Sequence, residues 1–120
     1  MIFICSPYKG DTVRNIQLAQ RYCRMAVDEG YMPVAPHLFY PQFLDDNDPE
    51  ERTLGMTFGL ALLDLCDEIW VFGEPTPGMA VEVTFAAERH IPIKQFPAEG
   101  NKQFPAEESD STPGKERTKA

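Results

Sequence analysis

Four short apolar runs alternate along the chain with three stretches of helical periodicity, and this alternation admits few folds. The runs are "IFIC" from Ile2, "MPVAP" from Met32, "DEIWVFG" from Asp67 and "IPIKQF" from Ile91. After the first, Val13, Ile16, Ala19, Cys23, Ala26 and Val27 recur every three or four residues. They predict a helix from about Thr12 to Glu29, ended by Gly30. Asp48 as cap, Pro49 at the first helical position and Glu51 placed for a capping box open a second helix. That helix carries Leu54, Phe58, Ala61, Leu62 and Leu65 and ends near Cys66. "PGMAVEVTFAAE", Pro77 to Glu88, supplies a third, and "HLFYPQFLDDN" reads as a polar and aromatic loop. Strands alternating with helices imply a parallel sheet covered on both faces, joined by right-handed crossovers. The expected fold is α/β: a three-layer, flavodoxin-like (Rossmann-like) sandwich around a short parallel sheet.

The chain of 120 residues suits one domain. Its net charge of -8 and lack of a basic stripe argue against a nucleic-acid partner. The apolar runs are too short to span a membrane, and "MIFICSPYKGD" reads as a strand rather than a signal peptide. Cys5, Cys23 and Cys66 are odd in number and widely spaced, as reduced core thiols of a cytoplasmic protein would be. The "DDNDPEE" run lacks EF-hand spacing and reads as a solvated loop with a helix cap. Neither a metal nor a cofactor is expected. "KQFPAE" occurs at Lys94 and again at Lys102, before a polar, Pro- and Gly-containing end. The expected organisation is a domain over residues 1–96 and a disordered tail over 97–120.

In sheets of this kind ligands bind beyond the C-terminal ends of the strands. Here those ends are "SPYKGD", "APHLFY" and "GEPTPG". The first offers Ser6, Lys9, Gly10 and the opening amides of a helix, a setting that suits a phosphate. It equally suits a tight turn capped by Asp11 or Thr12. His37 and Tyr40 follow the second strand, where a packed, hydrogen-bonded histidine is the commoner outcome. Asp67 opens the third strand and could be simply an acid at its edge. Glu82 poses the sharpest question. At helical spacing it shares a face with Met79, Phe85 and Ala86. The helix dipole contributes about 0.3–1 kcal/mol to such a carboxylate, less than the several kcal/mol that desolvation of an unpaired acid costs. Either Glu82 is exposed, or it has donors in Tyr8, a ligand hydroxyl or a neighbouring subunit. An acid held beside a sugar can attack an anomeric carbon.

The small-residue loop after the first strand, Asp67 before "EIWVFG", and "TPGMAVEVTFAAE" resemble the nucleoside 2-deoxyribosyltransferase-like superfamily. Within it, the pattern running from "IFICSPYKGD" through "APHLFYPQFLDD" and "CDEIWVFG" to Gly78, Met79 and Glu82 is similar to the DUF4406-like branch. The resemblance covers about residues 1–96. It implies that Glu82, closing a Gly-x-x-x-Glu motif from Gly78, is a nucleophile, and that Asp67 orients or protonates the substrate. It implies that Thr76, with Ser6, Lys9 and Gly10, holds a 5'-phosphate. The transferases carry an aspartate where Thr76 stands, so the departure favours a phosphorylated ligand. It also implies a homo-oligomer with a shared site.

The expected function is cleavage or exchange of the N-glycosidic bond of a deoxynucleoside 5'-monophosphate, with Glu82, Asp67 and Tyr8 catalytic. Ser6, Lys9, Gly10, Thr76, Gly78, Met79 and His37 would bind the nucleotide or nucleoside. The alternatives are a nucleotide-binding sensor without turnover and an interaction protein in which Glu82 is exposed.

Overall fold

A computed structural model describes residues 1–98. Strand β1 spans Ile2–Cys5, helix α1 Thr12–Asp28 and strand β2 Pro33–Val34. A short helix α2, Pro36–Phe39, runs into a 3-10 turn at Tyr40–Gln42. Helix α3 spans Pro49–Leu63, strand β3 Glu68–Phe72, helix α4 Pro77–Glu88 and strand β4 Ile93–Phe96. The four strands are all parallel in the order β2-β1-β3-β4, the doubly wound arrangement that the alternation predicts. The second "KQFPAE" copy and most of the polar tail lie outside the described residues.

Alternation along β1 and β3 sends successive side chains to opposite faces. Phe3, Cys5, Ile69 and Val71 pack with Leu63 of α3 and with Met79 and Ala86 of α4. Ile2, Ile4, Trp70 and Phe72 pack with Tyr22 and Ala26 of α1. The sheet is therefore the middle of three layers.

Local chemistry sets the ends. Asp11, not Thr12, caps α1 by accepting from the Arg14 amide at 3.3 Å. Asp48 caps α3 through the Glu50 amide at 3.0 Å, with Pro49 at the first position. Glu51 does not close a capping box: its Oε1 accepts from the Asp45 amide at 2.6 Å, one turn further back. The expected loop after β2 is also corrected, since Pro36 starts α2 at once. A helix of one turn is too short to show a period.

Candidate active site

Three segments leave the C-terminal ends of β1, β2 and β3 and enclose a cavity of about 350 Å³. From the first come Ser6, Tyr8 and Lys9, from the second His37 and Tyr40, and from the third Thr76, Gly78, Met79 and Glu82. Helix α3 adds Glu51, Arg52, Met56 and Gly59 as a wall, and Asp46 comes from the turn before it. Gly59 faces α2, where a Cβ would make an ordinary contact with Pro36 at 3.7 Å.

Glu82 stands in the second turn of α4, half-buried, with its carboxyl in the cavity wall. Burial, partly offset by a hydrogen bond from the Cys5 thiol, pushes it up to about 7. The Cys5 thiol is in turn raised, first by burial and then by the Glu82 charge and hydrogen bond. It also lies 4.0 Å from the Met79 carbonyl oxygen. The donor to Glu82 was thus hidden at the end of β1, where an apolar strand makes cysteine look like inert core. Thr76 caps α4, its hydroxyl accepting from the Met79 amide at 3.2 Å. Pro77 and the unobstructed Gly78 then bring the helix start to the cavity.

Ser6 is 6% exposed, and its Oγ lies 2.8 Å from His37 Nε2. Burial lowers His37 to about 4, so the ring is neutral at pH 7. One of the pair donates and the other accepts, and both face the same space as Glu82.

Eight of the ten residues singled out in the sequence line this cavity: Ser6, Tyr8, Lys9, His37, Thr76, Gly78, Met79 and Glu82. Gly10, at φ +100°, lines a second cavity next to it, with Lys9 and Thr12. Asp67 is not brought to the site, which corrects its expected place there. It precedes β3, at the opposite end of the sheet from Glu82, with its side chain 80% exposed and paired with the Met1 amino group. In a parallel sheet, an acid before a strand and a residue after it stand a strand length apart. Arg52, Asp46 and Glu51 were not expected in the site, because "DDNDPEER" reads as solvated charge and a helix cap until α3 closes the cavity.

Among the described residues, no group of three or more His, Cys, Asp or Glu side chains is placed to hold a metal. No helix among them is long and apolar enough to cross a membrane.

The fold has a counterpart among solved structures. A 2-deoxyribosyltransferase from the psychrotolerant bacterium Bacillus psychrosaccharolyticus superposes with a TM-score of 0.62 at 17% identity. The match covers 84% of this chain and 75% of that one. At that identity the likeness establishes a shared Rossmann-like, deoxyribosyltransferase-like fold. No curated protein matches the sequence. The family model that matches is Domain of unknown function (DUF7768), over residues 1–96; it does not show the expected DUF4406-like branch. On that match, which spans the whole sheet and every cavity residue, the chain belongs to the DUF7768 family.

Proposed function

We propose that the cavity binds a deoxynucleoside or its 5'-monophosphate and that Glu82 cleaves the N-glycosidic bond by covalent catalysis. The observation that carries this reading is the Glu82 carboxyl, half-buried in the cavity wall and pushed up to about 7 by burial. A Glu82 carboxylate oxygen bonds to C1' as the C1'–N bond breaks. The base leaves with the bonding electrons and takes a proton from Tyr8 or solvent. Water, or a second base, then attacks C1', returns its proton to Tyr8 or solvent, and releases the carboxylate, completing hydrolysis or transfer. The fold shared with a 2-deoxyribosyltransferase supports this assignment. The neutral Ser6–His37 pair supplies polar contacts for sugar or base without a competing charge. A homo-oligomer belongs to the same proposal.

Only ionised Glu82 can attack. The carboxyl charges as pH rises through about 7, so kcat/KM for base release climbs with pH below that point and levels above it. At pH 5 it falls about a hundredfold below the plateau, following one deprotonation. His37, lowered to about 4, adds no limb near neutrality. A profile flat from pH 5 to 8 would remove Glu82 as the ionising group. Asp67→Asn leaves base release within about twofold, since the exposed pair it breaks contributes little; a large loss would restore Asp67 to the site.

The direct test is chromatography for free base, with intact-protein mass spectrometry for an adduct, after incubation with each deoxynucleotide and deoxynucleoside. Glu82→Gln is the control. Base that disappears in the variant supports the nucleophile. Binding without base or adduct supports the second reading, a sensor of nucleotides or related metabolites. One observation favours that alternative: with Asp67 at the far end of the sheet, the departing base lacks the acid that the resemblance implies.

A further inference from the structure

Lys9 Nζ and Arg52 Nη1 approach one and the same oxygen, Asp46 Oδ2, at 3.6 and 3.7 Å. All three side chains line the Glu82 cavity, and Lys9 and Asp46 also line the second cavity, of about 460 Å³. Both distances exceed hydrogen-bond length, so neither cation spends a donor on Asp46. The side chains are 53%, 45% and 32% exposed for Lys9, Arg52 and Asp46, and ion pairs so solvated are weak and easily exchanged. The backbone that carries Asp46 is nevertheless held in place. Its turn is closed by Glu51 accepting from the Asp45 amide at 2.6 Å and by Asp45 Oδ1 accepting from the Asn47 amide at 2.9 Å. A single negative oxygen is thus presented between two cations at the wall of a cavity.

We propose that Lys9 and Arg52 form the seat for a phosphate on the ligand, and that Asp46 stands in for that phosphate until the ligand displaces it. The inference rests on reading the cavity as a nucleotide site and deepens it by assigning the phosphorylated ligand to specific residues. Asp46 meets both cations beyond hydrogen-bond length, so their donors stay available to a ligand. A phosphate monoester carries about -1.5 to -2 charge at pH 7 and three acceptor oxygens, enough to neutralise both and to take two parallel N–H bonds from the Arg52 fork. A free nucleoside has nothing to offer the seat and leaves Asp46 where it is. Asp46 thereby sets the preference between the two ligand classes.

Titration calorimetry on Asp46→Asn, Arg52→Gln and the unaltered chain tests this. The ligands are four 2'-deoxynucleoside 5'-monophosphates, the matching nucleosides and inorganic phosphate. Asp46→Asn tightens the preferred monophosphate by roughly threefold or more, as loss of a competing exposed charge would, and leaves its nucleoside within about twofold. Arg52→Gln weakens the monophosphate on the order of tenfold and spares the nucleoside. Equal changes for both ligands, a weaker monophosphate in Asp46→Asn, or no monophosphate binding to any of the three proteins would each overturn the seat. Inorganic phosphate binding without nucleotide binding would overturn the assignment to a nucleotide. These measurements need no turnover. Asymmetric binding without base release would sink the glycosidase reading alone, and base release without asymmetry would sink the seat alone.

Discussion

Glu82→Gln is expected to melt at a higher temperature than the unaltered chain at pH 8 while losing base release by on the order of 10³-fold or more, as removal of a covalent nucleophile does. Both effects come from one carboxyl. In the unfolded chain it ionises near 4.5, and in the folded chain near about 7. Between those values the unfolded chain gives up a proton that the folded chain keeps, so rising pH favours unfolding throughout that window. Below it the acid is neutral in both states and costs nothing; above it the loss is complete. The interval corresponds to at most about 3 kcal/mol, and partial solvation brings the usable part to about 1–2 kcal/mol. Glutamine keeps the shape and carries no charge, so the variant recovers that amount at pH 8. At roughly 4–8 °C per kcal/mol for a domain of this size, the gain is on the order of 5–15 °C. At pH 4 the two proteins melt together. Melting curves at both pH values decide the matter: equal transitions at pH 8 would mean that the carboxylate is not penalised by its surroundings.

That a strained acid could be found in the sequence at all follows from its neighbours. Glu82 shares a helical face with Met79 and Ala86, and both proved to be buried. The three long helices were legible for similar reasons, because a cap, a proline at the first position or a terminal glycine marked at least one end of each. Legibility failed where chemistry depends on tertiary proximity. Cys5 looks like one more apolar residue of β1 until α4 lays Glu82 against it. Arg52 looks like surface charge until α3 closes the cavity and Asp46 draws it toward Lys9. Asp67 shows the opposite failure: a motif implied a place in the site that the polarity of a parallel strand does not give it within this chain, since only the far end of β3 opens on the cavity.

Phe72→Ala is expected to cost about 3–5 kcal/mol, the usual loss for emptying a large aromatic site in a core. Against the 5–15 kcal/mol that holds a typical domain together, this is enough to lower the melting temperature by on the order of 15 °C or more. The ring is 1% exposed and sits inside an aromatic stack. Tyr22 of α1 lies parallel to it at 3.9 Å between centroids, and Phe96 of β4 at 4.9 Å, with Trp70 behind Phe96 at 5.1 Å. The stack therefore joins the helix on one face of the sheet to its edge strand, and alanine would leave a void that neither neighbour can fill. Phe72→Leu keeps most of the volume and should cost under about 1.5 kcal/mol, which makes it the variant for testing function. Phe72 is the last residue of β3. Gly73 follows at φ +81°, its amide donating to the Phe96 carbonyl at 3.0 Å, and the next residues lead to the Thr76 cap of α4. The stack thus fixes the point from which α4 departs, and with it the depth at which Glu82 enters the cavity. Phe72→Leu should therefore keep a cooperative melt yet shift the pH at which base release rises, because a small displacement of α4 changes how far the carboxyl is removed from water. An unchanged pH profile in Phe72→Leu, beside a normal melt, would show that α4 is positioned by its contacts with α3 and the sheet and not by the stack.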